Sequence, residues 1–285
     1  MMRPMPALEH LSRCTLGEYE DAFRDRHLIH GALIHWAERN PEGTAIVNAT
    51  RSTELTWLEL EARSKALAAE LLRRGFRKGD FLAASLPLTN EHVLLEYACF
   101  WIGMIHVPLD LRLSEAERDR CLDLVKARIY VTALDATPPE QVEVVIDPKG
   151  LMELFKASEE GSGPLEWPKV LPEDGAQVVF TTGSTGQPKA ALLTHRSITA
   201  QNYGLGLAFE FEGQRVLVNL PPSHVGGQAE LLLTTLFWGA TAVTLEVFDP
   251  GKSLEAIERY GVTLLGQIPA MFQLEWRHPD YASRN

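Results

Sequence analysis

Val178-Val179-Phe180-Thr181-Thr182-Gly183-Ser184-Thr185-Gly186-Gln187-Pro188-Lys189 is the stretch on which the reading of this chain turns. Its apolar start predicts a buried strand over Val178 to Thr181. The strand runs into a segment whose glycines, Gly183 and Gly186, let the backbone curl and come close to a ligand. The hydroxyls of Thr181, Thr182, Ser184 and Thr185 offer donors, and Lys189 offers a point charge, a combination suited to a polyphosphate. Composition alone also permits a plain Ser/Thr/Gly surface loop. A Walker-type loop is excluded, because that motif needs Gly-Lys-Ser/Thr where Pro188-Lys189-Ala190 stands.

Strand and helix patterns alternate on both sides of this segment. Thr56-Trp57-Leu58-Glu59 has the form of a capping box, and Trp57, Leu60, Leu67 and Leu71 then share one helical face up to a stop at Gly75. Phe81 to Leu86 reads as a strand, Asn90 as the cap of a helix running through Trp101 to Gly103, and Ile105 to Leu109 as the next strand. Ser114 and Glu117 repeat the capping box, and Ile129 to Thr132 returns to β-rich composition. Further strands are expected near Val216 to Asn219, Thr241 to Leu245 and Val262 to Gly266, with Asp249 and Gly261 bracketing a helix. Parallel neighbours need crossover helices, so the alternation predicts an α/β layered fold with largely parallel sheets.

The prolines and the Glu159-Glu160-Gly161-Ser162-Gly163-Pro164 run between Asp135 and Ala176 suggest a boundary. The expected division is a lead-in over 1–26, a first α/β subdomain over 27–150, a linker over 151–176, and a second subdomain over 177–285.

The 285 residues carry 27 Lys plus Arg against 38 Asp plus Glu, a formal net charge of -11 with no basic cluster, which argues against nucleic acid as a partner. Cys14, Cys99 and Cys121 lack the spacing of a disulfide framework or a zinc site. No uninterrupted apolar segment opens the chain, and Leu231 to Leu245 is shorter than the roughly 20 residues of a bilayer span. These features predict a cytoplasmic protein without a transmembrane segment, and the apolar stretch itself reads as a buried helix, turn and strand.

The phosphate-loop segment resembles the Thr-Ser/Thr-Gly-Ser/Thr-Thr-Gly-x-Pro-Lys-Gly signature of the adenylate-forming superfamily, with Ala190 in place of the final glycine. Flanking blocks agree. Leu55-Thr56-Trp57-Leu58-Glu59-Leu60, Arg77-Lys78-Gly79-Asp80, the segment from Gly103 to Asp110, Thr194-His195-Arg196, Leu220-Pro221-Pro222-Ser223-His224 and Gln267-Ile268-Pro269-Ala270 each resemble a family block in the family's order.

The resemblance implies the layered αβαβα-type N-terminal domain of adenylate-forming enzymes. It implies ATP-dependent activation of a carboxylic acid to an acyl-adenylate, followed by transfer to coenzyme A, an acid–thiol ligase of the acyl-CoA synthetase class. On that basis Thr181, Thr182, Gly183, Ser184, Thr185, Gly186 and Lys189 are expected to hold ATP, with Thr185 toward its Mg²⁺. His224 is expected to line or gate the acyl pocket, its plainer reading being an ordinary loop histidine. Gly226 and Gly227 either open room for substrate or permit a turn. Ser223-His224-Val225 stands where amino-acid-activating relatives show Phe-Asp, so the acid is expected to be fatty or aromatic.

The family's later Tyr-Gly-x-Thr-Glu and Thr-Gly-Asp blocks do not occur, nor does the C-terminal domain with its catalytic lysine. No catalytic residue is assigned. The chain by itself is expected to bind nucleotide weakly and to leave the reaction incomplete, and to self-associate as a homodimer or aggregate through uncovered apolar surface. The alternative is a catalytically silent relative acting as a nucleotide-binding or partner-binding module.

Overall fold

The computed structural model describes residues 15–133, 139–161, 163–182 and 188–284. The described residues begin with α1 (Leu16–Ala22) and α2 (Ile29–Arg39), then the hairpin β1 (Thr44–Asn48) and β2 (Thr53–Thr56), and α3 (Trp57–Arg73). Alternation continues through β3 (Phe81–Ser85), α4 (Asn90–Ile102), β4 (Ile105–Pro108), α5 (Glu115–Val125) and β5 (Ile129–Thr132), followed by β6 (Val144–Ile146) and α6 (Pro148–Glu160). The second half runs β7 (Gly175–Thr182), β8 (Pro188–Thr194), α7 (His195–Ala208) and β9 (Arg215–Val218), then a π-helix (Gly226–Leu232) continuing into α8 (Leu233–Phe237). It ends with β10 (Thr241–Thr244), α9 (Pro250–Tyr260), β11 (Leu264–Leu265) and α10 (Pro269–Trp276).

Local chemistry sets the boundaries. Thr56 and Ser114 each form the full reciprocal capping box, with Glu59 and Glu117 respectively. Asp249 caps α9, and Gly261 ends it in the left-handed conformation. Helix α4 departs from expectation by one residue: its N-cap is Thr89, whose hydroxyl accepts from the His92 N–H at 3.2 Å, not Asn90. Threonine holds the extended cap backbone at φ -100° and ψ 168° while Asn90 is already helical. At its other end Gly103 takes φ +67°, and a Cβ there would lie 2.9 Å from the Lys78 side chain, so glycine is the residue that fits.

Two sheets result. The five-stranded one has the order β11-β9-β10-β1-β2 and the six-stranded one β6-β5-β3-β4-β7-β8. All neighbours are parallel except β1/β2 and β7/β8. Period-two alternation gives each sheet two apolar faces. Ile46, Val216, Val218 and Ala242 from one sheet and Leu82, Ala84, Ile129 and Val131 from the other join a common core with Leu67, Leu94, Tyr97 and Phe237 of the helices between them. The opposite faces, Val47, Leu217 and Val243 on one sheet and Ala83, Val107 and Tyr130 on the other, are covered by Ala256 of α9 and by Leu122 and Val125 of α5. The layers run helix, sheet, helices, sheet, helix, the αβαβα architecture expected.

The sheets interleave along the chain. The five-stranded sheet takes β1 and β2 from the first half and β9, β10 and β11 from the second, so sheet membership does not follow a division at 151–176. The stretch after Asp135 also holds β6 and α6, whose Asp147 cap and Pro148 at the first helical turn start a helix that the surrounding prolines and acids obscure. Among the described residues, no helix is long and apolar enough to cross a membrane.

Candidate functional site

Strand β7 leaves the core at its end. Ala176, Gln177, Val178 and Val179 are buried, and Thr181 is exposed. Strand β8 returns antiparallel, so that Thr182 pairs with Pro188, Thr181 with Lys189 and Phe180 with Ala190. Residues Gly183, Ser184, Thr185 and Gly186 of the expected phosphate segment lie outside the described residues. What the hairpin defines is the frame of that segment: a threonine on the outgoing strand directly across from an exposed lysine on the returning one. Lys189 makes no ion pair among the described residues. Ala190 sits in an ordinary paired strand position and takes no positive φ, so the missing glycine asks nothing unusual of the backbone.

His224 lies in the exposed turn that follows β9. Its backbone N–H donates to the Pro221 carbonyl at 3.0 Å, and its ring Nδ1 accepts from the Gly226 N–H at 3.0 Å. The His224 carbonyl then accepts from the N–H groups of Gly227 and Gln228 at 3.0 and 3.1 Å, which starts the π-helix. Gly226 and Gly227 are both buried. A Cβ on Gly227 would meet the Pro221 carbonyl oxygen at 2.8 Å and the Leu220 Cβ and carbonyl oxygen at 2.9 Å, so this glycine lets the helix start press on the preceding backbone.

A buried polar cluster, which the sequence reading passes over, connects these two segments. Glu96 on α4 is wholly enclosed. Gln177 on β7, four residues before Thr181, donates from Nε2 to Glu96 Oε1 at 2.9 Å. Gln228, four residues after His224, donates from Nε2 to Glu96 Oε2. One carboxylate therefore ties the strand that enters the phosphate segment to the helix that follows His224. His106 on β4, the strand neighbour of Gln177, places Nδ1 3.4 Å from Glu96 Oε1, and the His92 ring stands edge-on to the His106 ring at 5.1 Å between centroids.

Burial dominates the electrostatics of this cluster. It pushes the Glu96 carboxyl up to about 7 and holds the His92 and His106 imidazoles down to about 3, both neutral near neutral pH. A signal was present in the sequence: His92 and Glu96, spaced to share a helical face, are the polar interruptions of an otherwise apolar run.

The AMP-binding enzyme family matches residues 33–284, nearly all of the chain. The chain belongs to that family.

Among curated members, an Amycolatopsis feruloyl-CoA synthase is 32% identical over 254 residues, covering 88% of this chain and 50% of the relative. An Arthrobacter 4-chlorobenzoate–CoA ligase is 27% identical over 252 residues, covering 84% of this chain and 48% of the relative. This member thus spans about half the length of the curated relatives it matches. The fold agrees with an inhibitor-bound N-terminal domain of FACL13 from Mycobacterium tuberculosis, with a TM-score of 0.78 at 22% identity over 90% of this chain and 67% of that one. It agrees equally with ATP-bound MatB from Rhodopseudomonas palustris, with a TM-score of 0.77 at 23% identity over 89% of this chain and 52% of that one.

Proposed function

We propose that this AMP-binding family member supplies the ATP- and acid-binding part of an acid–thiol ligase that makes an acyl-adenylate and passes the acyl group to coenzyme A. The observation that carries the reading is the β7–β8 hairpin. It sets Thr181 and the exposed Lys189, which makes no ion pair among the described residues, across from each other at the two ends of a segment with the order of the family's phosphate signature.

In the first half-reaction a carboxylate oxygen attacks the α-phosphorus of ATP and the bond to pyrophosphate breaks. In the second, the sulfur of coenzyme A attacks the acyl carbon, AMP leaves, and the thiol proton passes to solvent. Both steps move charge onto phosphate oxygens, so the protein's part is positioning and neutralisation. The Lys189 ammonium and the Thr181 hydroxyl act on the phosphates from opposite strands. Thr182, Gly183, Ser184 and Gly186 are assigned to the same task from the sequence. A Mg²⁺ ion carried by the nucleotide adds neutralising charge, with Thr185 the hydroxyl assigned to it from the sequence.

His224 and the glycines after it are assigned to the acid side. Gly226 holds the His224 ring through its N–H, and Gly227 fixes the helix start, so the pair orients the histidine whether or not it also leaves room for substrate. The acid is aromatic or fatty. No Phe-Asp carboxylate stands beside His224 to pair with an ammonium group, and the curated relatives described above are named for aromatic acids. The buried, unpaired thiols of Cys99 and Cys121 suit a reducing cytoplasm.

The test is acid-dependent exchange between ATP and labelled pyrophosphate, run on the protein isolated from its native source after its intact mass has been compared with 31.8 kDa. Exchange is expected with one or more aromatic or fatty acids. Nucleotide binding without exchange for any acid in the panel would replace the ligase by the silent-module reading.

A further inference from the structure

The cluster around Glu96 has the composition of a metal site. The donor atoms of His92, Glu96 and His106 lie within 4.8 Å of one another, and all three residues are buried. We propose that they bind one transition-metal dication of the zinc type, held between α4 and β4 beneath the phosphate hairpin. This inference does not depend on the acid-ligase reading.

Three features point to a ligand. First, both ring nitrogens of His92 and of His106 lack a hydrogen-bond partner, as do the side-chain oxygens of Gln177 and Gln228. Each neutral imidazole therefore presents a ring-nitrogen lone pair that accepts no hydrogen bond, and that lone pair is what a metal ion takes. Second, the only ion-pair partner of Glu96 among the described residues is His106, and no lysine or arginine pairs with it there. A dication beside the buried Glu96 carboxyl would supply the positive charge that its ionised form needs there. Third, the donor set is of the right type: two neutral imidazoles and a carboxylate are borderline ligands suited to zinc, cobalt or nickel rather than to magnesium or calcium.

The spacing is close to what such an ion requires. Ligands about 2.0–2.1 Å from a tetrahedral ion stand roughly 3.4 Å apart. The His106 Nδ1 to Glu96 Oε1 separation is already 3.4 Å, and the donor atoms of all three residues lie within 4.8 Å of one another. The fourth position falls to water. With the carboxylate bound through Oε1, its Oε2 keeps the Gln228 bond, so the ion fixes β7 and the π-helix to the same point. Because the ligands are fully enclosed, loading accompanies folding and does not follow it.

The chain, produced without a polyhistidine tag and refolded with Zn²⁺, is passed over chelating resin and analysed for metal by mass spectrometry. About one zinc per chain is expected. His92→Gln and His106→Gln should each lower it at least fivefold, while His30→Gln and His195→Gln, at buried histidines outside the cluster, should leave it unchanged. X-ray absorption at the zinc edge of the unsubstituted protein should show two imidazoles in the first shell, a readout that stands even if a variant fails to fold. A folded chain that retains no zinc, folded cluster variants that retain it in full, or a first shell without two imidazoles would overturn the proposal.

Discussion

Thr181 and Lys189 are Cα partners across the β7–β8 hairpin, the outgoing threonine facing the returning lysine. The pairing places a hydroxyl and a positive charge at the two ends of one short segment, and the first prediction follows from it. Lys189 is exposed and makes no ion pair among the described residues, so Lys189→Gln should leave stability within about 0.5 kcal/mol. Its loss should weaken ATP binding about tenfold or more, as removal of a charge-assisted phosphate contact does. Titration with a fluorescent ATP analogue beside a thermal melt separates the two effects. Unchanged affinity in a folded variant would remove Lys189 from the nucleotide site.

Gly227 sits where the π-helix begins, against backbone and not against a flexible side chain. Gly227→Ala pushes a methyl group into the Pro221 carbonyl and the Leu220 backbone and should cost about 1–3 kcal/mol, read from urea unfolding. Gly17→Ala, in helix α1 with only the Thr15 hydroxyl oxygen within reach at 3.9 Å, should be neutral or stabilising by up to about 1 kcal/mol. Equal effects at the two positions would mean that the close approach at Gly227 is not what constrains it.

His195 and His30 give the fold a defined acid sensitivity. Burial lowers His195 from 6.5 to about 3, with His30 and Lys78 also opposing protonation and Asp174 favouring it, and lowers His30 to about 4, with Lys65 opposing protonation and the Phe100 backbone favouring it. Because the folded values lie below the unfolded one, the unfolded chain takes up protons first as pH falls. The stabilisation is complete above the unfolded value near 6.5 and is lost as pH drops toward the folded values. Each histidine contributes a slope of about 1.4 kcal/mol per pH unit in that window. His195→Gln should flatten the fall in stability between about pH 6 and pH 4 by that amount. Chemical denaturation across this range checks it, and an unaltered slope in the variant would show that His195 titrates normally.

Self-association has a surface to use. Leu265, Ile268, Leu274 and Trp276 are exposed together at β11 and α10, with Leu274 51% and Trp276 59% accessible. Light scattering on the purified chain is expected to give a mass above the 31.8 kDa monomer. Leu274→Glu combined with Trp276→Glu should restore the monomer. A monomer at high concentration without these substitutions would dismiss the idea.

Much of this molecule was legible in advance because its signals are local. Thr56, Ser114, Asp249 and Gly261 mark their helix ends through contacts with residues one turn away, and all four act as their sequence context predicts. At the start of α4 the sequence offers two capping-competent residues in a row, Thr89 and Asn90, and backbone dihedral angles, not composition, choose Thr89. Helix α6 is masked in the sequence by the prolines and acids around it, although Asp147 and Pro148 open it in an ordinary way.

The sequence by itself determined the alternation of elements, the layered α/β class and the order of the phosphate segment, since periodicity, capping and motif spacing are properties of neighbours along the chain. Only the tertiary structure decided that β1 and β2 cross over to join β9, β10 and β11. It alone decided that Glu96, His92, His106, Gln177 and Gln228 meet in one enclosed cluster. Those five side chains come from two helices and two strands spread over more than a hundred residues. Nothing in local pattern specifies their meeting, because burial between two packed sheets is a property of the assembled layers.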